Sequence, residues 1–240
     1  MSLFDLFGEA RQGRHRDVQA SGARAAVLGA GDGLLTNVSL VLGVAGAGPP
    51  ASTVRLAGLA GLLAGAFSMA AGELVSVRAQ EELVEREVAV ERQELADDPR
   101  GEQVELAQIY EGKGLPHDKA AIVAEFLMSN DGVALDSHAR LELGVDPEAP
   151  HSAGQAALAS FLSFSLGALI PLFPWFFWSG VAAIVASIVL GGLAALALGA
   201  VIGIFTGVGA ARTAMRQLVA ATVAAAVTYS VGRLLGAGTA

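Results

Sequence analysis

The sequence predicts an all-α integral membrane protein: five transmembrane helices, with an acidic helical insert between the second and third. Three observations predict it. Charge is segregated: residues 78–150 hold 18 of the 23 carboxylates and 7 of the 15 basic residues, a local net of −11, and the remainder carries 5 acidic and 8 basic residues. From His151 to Ala211 there is no Asp, Glu, Lys or Arg. The chain is apolar: 53% of residues are hydrophobic and 16% charged, against roughly 25% charged in soluble domains, and the mean hydropathy is +0.56. Helix stops, finally, divide the apolar sequence into pieces of about 20 residues, the length a bilayer requires.

The divisions follow as residues 1–22, an N-terminal segment; 23–77, spans one and two; 78–150, the acidic insert; and 151–240, spans three to five. Residues 1–22 are polar and partly basic, without the apolar stretch of a cleavable signal. Span one covers about 24–48 and ends at Pro49-Pro50, which cannot continue a helix. Span two covers about 54–77 and has no stop at its end. Its helical pattern runs on through "RAQEELVEREVAVERQELADD". A single helix is expected to leave the membrane and enter water. Within the insert, Asp98 is placed to cap a helix with Pro99 at its first position, ending at Gly112 or Gly114. Pro116 opens another helix, which ends near Asn130-Asp131-Gly132. A last one runs from about Val133 to Leu143, stopped by Gly144.

Span three covers about 153–172. Pro171 and Pro174 predict a tight turn, with Phe173, Trp175, Phe176, Phe177 and Trp178 as an interfacial aromatic belt. Span four covers about 177–207 and span five about 214–236. Thirty glycines fit membrane helices packed through small residues, with Gly29/Gly33 and Gly61/Gly65 as small-xxx-small pairs. Basic residues orient the bundle. Arg11, Arg14, Arg16 and Arg24 before span one, Arg78, Arg86 and Arg92 after span two, and Arg212 and Arg216 before span five all fall on one side. That side is expected to be the cytoplasm, so the N-terminus and the insert are expected there. Arg55 and Arg233 lie near span ends, where they can snorkel.

Composition also excludes. With no cysteine there are no disulfides, thiolate zinc sites or iron–sulfur ligation. A net charge of −8 argues against a nucleic-acid partner. No nucleophile–base arrangement and no phosphate-binding loop stands out, so no catalytic residue and no tightly bound cofactor is expected. Any transport would run on a gradient.

Two carboxylates lie within apolar spans: Asp32 in "GAGDGLLTN" and Glu73 in "SMAAGELVS". An ionisable group in a span is costly and is a functional candidate by default. The blander readings are a buried structural hydrogen bond for Asp32 and an interface position for Glu73. Met69, four residues before Glu73, shares its helix face. It is either packing or a thioether ligand, and Asp, Glu and Met together suit a borderline transition ion better than Mg²⁺ or Ca²⁺. In the insert, Glu82/Glu85, Glu91/Glu94 and Glu102/Glu105 are E-x-x-E pairs, each on one helix face. Like charges so placed destabilise a helix unless neutralised. A solvated face is the alternative. A divalent cation shared by two helices would do the neutralising.

The segments "GDGLLTNVSLVLGVAGA" and "SMAAGELVSVRAQ", followed by "ERQELADDPRGEQVELAQIYEGKGL" and "ARLELGVDPE", resemble the vacuolar iron transporter family over about residues 20–237. The resemblance implies a five-span homodimer that exports Fe²⁺, and often Mn²⁺, from the cytosol in exchange for protons. It places Asp32 and Met69 on the ion path. It makes Glu91, Glu94, Glu102, Glu105 and Glu142 the cytoplasmic metal ligands. Where some members carry adjacent methionines before the last glutamate, this chain has "SHARLELG". His138 then becomes the substitute ligand, and a different ion preference and weaker binding follow. The implied setting is a bacterial plasma membrane.

The reading that results is a metal/proton antiporter. The five glutamates and His138 collect the ion, Glu73 receives it, Asp32 and Met69 hold it in the membrane, and Asp32 and Glu73 take protons in return. Two other classes remain: a membrane-anchored ferroxidase or iron store, and a membrane protein whose acidic domain docks a basic partner. Di-iron bundles also use Glu-x-x-His pairs, and residues 78–150 contain none.

Overall fold

The structure is a computed structural model and describes residues 21–145 and 152–237. The expectations for Arg11, Arg14 and Arg16 lie outside those residues. Every regular element described is helical: α1 (Ser21–Gly46), α2 (Ala51–Asp97), α3 (Pro99–Gly112), α4 (His117–Met128), α5 (Asp131–Leu141), α6 (Ala153–Leu172), a 3₁₀ turn (Phe173–Phe176), α7 (Gly180–Thr206) and α8 (Ala210–Ala237). Five of them are long and apolar enough to cross a membrane: α1, α2, α6 with its 3₁₀ turn, α7 and α8. The chain forms two compact units, one up to Glu73 and from Gly154 onward, the other Leu74–Ala153. The boundary falls inside α2.

The first unit is held together by close backbone approach. A Cβ on Gly33 would collide with the carbonyl of Phe164 in α6, and one on Gly167 would collide with the carbonyl of Ala30 in α1. Lipid tails are as apolar as leucine, so helices in a bilayer gain little from burying large side chains. They gain from fitting closely. Helix α7 shows the same logic along its length. Ala183, Ser187, Gly191, Ala195, Gly199 and Gly203 are buried at four-residue intervals, and Val181, Val185, Ile188, Leu193 and Ile204 point outward. Asn37 is fully buried and donates from Nδ2 to the Ala168 carbonyl at 2.6 Å, tying α1 to α6.

Three details differ from the sequence reading. The aromatic belt loses Trp175, which is 2% exposed. Its indole N–H donates to Ser187 Oγ at 3.0 Å, and that hydroxyl donates to the Pro171 carbonyl at 2.7 Å. A buried indole needs an acceptor, and α7 supplies it. Phe173, Phe176, Phe177 and Trp178 remain exposed. Pro171 lies inside α6 and not in the turn, and the fourth span begins at Gly180. Arg55, expected to snorkel, reaches the Trp175 carbonyl at 3.4 Å.

In the second unit, Asp98 caps α3 through Gly101 N–H at 3.0 Å, with Pro99 at the first helical position. Asp98 also donates its N–H to Glu94 and accepts from Glu102 N–H, so α2 ends and α3 begins on one residue. Asn130 caps α5 through Gly132 and Val133, which starts that helix at Asp131 and not Val133. Leu106, Ala107, Ala120 and Ala124 form the core, with Tyr110, Leu127 and Leu141 packed against it.

Substituting Gly33 by alanine is expected to destabilise the detergent-solubilised protein by about 1–3 kcal/mol, the usual cost of overpacking. Gly72→Ala, where a Cβ meets open space, should hold or gain up to about 1 kcal/mol. Thermal unfolding of the two variants side by side checks this, and equal melting temperatures would contradict the packing argument.

Candidate metal centre

The break and cap at Asp98 and the cap at Asn130 decide where the glutamates go. Glu91 and Glu94 stand on the last turns of α2, Glu102 and Glu105 on the first turns of α3. His138 and Glu142 stand four residues apart at the end of α5, where that spacing stacks them on one face. His138 is 0% exposed and Glu91 3%, with Glu102 at 13% and Glu142 at 36%. The cluster is therefore closed at the imidazole and open toward Glu142.

His138 Nδ1 lies 3.1 Å from Glu91 Oε1, 3.6 Å from Glu102 Oε2 and 3.7 Å from Glu142 Oε2. Even at 3.1 Å the pair makes no hydrogen bond. Glu91 Oε1 and both ring nitrogens of His138 are buried and unpartnered. Buried polar atoms without partners are uncommon in folded proteins and ask for an explanation. Among the described residues, Glu91, His138 and Glu142 are the group of three such side chains whose ligand atoms all lie within 4.8 Å of one another.

The electrostatics agree. The Glu91 carboxyl is pushed up from 4.5 to about 7, first by burial and then by the charges of Glu142, Glu102, Glu94 and Glu105. Glu102 is also raised, by burial first, with His138 acting against the shift and Glu105, Glu94 and Glu142 adding to it. All five glutamates therefore act on one small volume. A divalent cation there would relieve both the repulsion and the unpaired atoms.

The intramembrane candidates are arranged differently. Asp32 is exposed on α1, in line with exposed Leu28 and Thr36, and Thr36 Oγ1 approaches Asp32 Oδ1 at 3.4 Å. Met69 is partly buried and packs against the cluster of Leu62, Ala66, Phe164 and Ala168, as its packing reading predicts. Glu73 is partly exposed one turn further on. Gly33, beside Asp32, abuts the backbone of Phe164, and Gly65, one turn before Met69, abuts its ring. Asp32 and Met69 thus lie within about a turn of the same depth in the bundle. The sequence reading passed over Asn37, whose Oδ1 is buried without a partner. An amide in an apolar span was the signal. Glu82/Glu85 is an exposed pair and fits the solvated-face alternative. His117 is an exposed residue paired with Glu111 at 2.6 Å.

Comparison with known proteins is consistent along the chain. The model of the VIT family matches residues 23–233. Similar proteins include a vacuolar iron transporter of Acanthamoeba castellanii, 38% identical over 143 residues covering 58% of this chain and 51% of that protein. Vacuolar iron transporter 1 of Oryza sativa subsp. japonica is 36% identical over 141 residues, 58% of this chain and 56% of that one. Vacuolar iron transporter 1 of Arabidopsis thaliana is 31% identical over 211 residues, 87% and 84% respectively. The match spans about half the length of the first two relatives and most of the third.

The Glu91 shift carries a stability prediction. Its folded value, about 7, lies above the ordinary 4.5, so the native state binds the proton more tightly than the unfolded chain. That stabilisation is complete below pH 4.5 and is lost as pH rises through 7. It is worth on the order of 3 kcal/mol. Chelator-treated protein should therefore melt higher at pH 5.5 than at pH 8. Glu91→Gln should flatten the dependence and melt above wild type at pH 8. Melting temperatures of the two proteins across this range decide it, and a wild type that gains stability with pH would contradict the assignment.

Proposed function

This chain belongs to the VIT family, and from that premise we propose that it carries divalent iron or manganese across a membrane, out of the cytosol and against a counterflow of protons. The observation that carries this reading is the convergence of Glu91, His138 and Glu142, with buried, unpaired ligand atoms on Glu91 and His138. Glu94, Glu102 and Glu105 add field around them. The acidic unit concentrates divalent cations from solution, as a focused patch of one charge does for its counter-ions. Glu91, Glu94, Glu102, Glu105, Glu142 and His138 are the collecting ligands.

Within the membrane, Glu73 receives the ion at the inner mouth, and Asp32 and Met69 hold it along the path. Asp32 and Glu73 exchange it for protons that flow the other way. No metal stays resident in this scheme: the ion is cargo. The basic-residue bias supports a cytoplasmic N-terminus and insert, and a bacterial plasma membrane is the proposed setting. The position of Asp32 supports a homodimer. In a single chain it lies on an outward face, and a carboxylate facing lipid is costly. A second copy would cover that face.

The test is uptake of Fe²⁺ or Mn²⁺ into proteoliposomes holding the purified protein, with and without a pH gradient. Wild type should show uptake stimulated by the gradient. Asp32→Ala should reduce it to the level of empty liposomes, with folding verified by gel filtration. Glu91→Gln with Glu102→Gln should slow uptake at low ion concentration more than at high. Wild-type transport by well-folded Asp32→Ala would refute this path. Oxygen consumption on adding Fe²⁺ without uptake would replace transport with ferroxidase chemistry.

A further inference from the structure

We propose that His138 sets the ion preference of the acidic unit. Its Nδ1 supplies a nitrogen donor to an otherwise carboxylate shell, and it favours ions that accept imidazole, Fe²⁺ and Co²⁺ among them, over Mn²⁺, Mg²⁺ and Ca²⁺. The inference rests on the collecting role proposed above for the same cluster.

Geometry is the first argument. Two donors each about 2.1 Å from one ion lie about 3.0 Å apart at a right angle and about 3.4 Å apart at the tetrahedral angle. The Nδ1 separations from Glu91 Oε1 and Glu142 Oε2, 3.1 and 3.7 Å, are close to the edges of such a coordination polyhedron, and these three ligand atoms form one mutually close group; Glu102 Oε2 lies 3.6 Å from the same nitrogen. The shortest is hydrogen-bond length, yet Nδ1 and Glu91 Oε1 make no hydrogen bond.

Donor chemistry is the second. Carboxylates are hard ligands that serve Mg²⁺, Ca²⁺ and Mn²⁺ as well as later ions, and their charge attracts any divalent cation. Imidazole suits Fe²⁺, Ni²⁺, Cu²⁺ and Zn²⁺, and affinity for a given site generally rises from Mn²⁺ through Fe²⁺, Co²⁺ and Ni²⁺ to Cu²⁺. The glutamates supply attraction, and His138 supplies discrimination. His138 Nε2 is buried without a protein partner, so no carboxylate or carbonyl raises the basicity of Nδ1 through the ring.

The rival role for a buried His among carboxylates is that of counter-charge. The two roles predict opposite results. Full-length protein in detergent is titrated with Co²⁺, an oxidation-resistant stand-in for Fe²⁺, and with Mn²⁺, for wild type and His138→Gln. Ligation predicts at least a tenfold loss for Co²⁺, roughly the smallest loss typical of groups one shell further out. It predicts a clearly smaller change for Mn²⁺, so that the Co²⁺/Mn²⁺ preference falls. Tighter or uniformly altered binding of both ions would overturn the proposal in favour of the counter-charge.

A second measurement does not depend on the folding of that variant. The chain has four histidines, so changing His15, His117 and His151 to Gln leaves His138 alone. Pulsed EPR of that protein loaded with Cu²⁺ should show nitrogen modulation from a coordinated imidazole, and its absence would overturn the proposal. Glu91→Gln with Glu102→Gln separates the two levels. If that variant binds both ions as wild type does, the collecting site itself is wrong. If it loses both while the preference of His138→Gln is unchanged, only the role of His138 is.

Discussion

The acidic unit depends on like-charge repulsion around a buried imidazole. Five carboxylates act on the volume that His138 closes from one side, and among the described residues none gives either ring nitrogen a hydrogen bond. Such an arrangement is unfavourable by itself. Burial and mutual repulsion push the Glu91 carboxyl to about 7. A protein selected for stability alone would dilute these charges or pair them with lysine. The surface pairs elsewhere in the unit, such as Arg140 with Asp136 at 2.7 Å, show that ordinary pairing is available to it. The cluster is kept unpaired at its centre, which is what a site for a transient cation requires.

The local signals that build the cluster are modest. Asp98 ends one helix and caps the next, so that two E-x-x-E pairs from successive helices face the same space. Asn130 sets the register of α5, and that register directs His138 inward. A shift of one residue in α5 would rotate the imidazole about 100° and take it away from Glu91. The caps therefore matter to the site more than to the few tenths to two kcal/mol each gives its helix.

Much of this was legible in the sequence because its causes are local. The charge segregation, the stops at Pro49-Pro50 and Asp98-Pro99 and the capping residues each act within a turn or two of themselves, and the five spans follow from them. The errors come where a distant partner decides. Trp175 reads as an interfacial aromatic until Ser187, twelve residues on, offers it an acceptor. Asn37 reads as one polar residue in a span until Ala168 accepts its amide. Met69 reads as packing or as a ligand, and the cluster around Phe164 shows what it touches within one chain. The glutamates were legible as pairs. Their grouping with His138 came from the family resemblance and not from spacing, because spacing along three separate helices says nothing of the loops that bring them together.

The two units raise different physical problems, and the proposed reading needs both. A collecting site with many charges and one nitrogen favours capture. Conduction also requires release, so the next ligands on a path must hold the ion less firmly. Asp32 fits that requirement: it is one carboxylate with a threonine hydroxyl nearby at 3.4 Å, and it lacks the second and third charges that make the acidic cluster grip. The cost of placing it in a span is real, and packing does not repay it, since its side chain stands on the outward face of α1. A docking protein with an acidic domain would gain nothing from that residue, and neither would an iron store. A path that must bind an ion briefly, far from water, has a use for a single exposed carboxylate, and in the proposed reading a second copy of the chain would turn its outward face into an interior one.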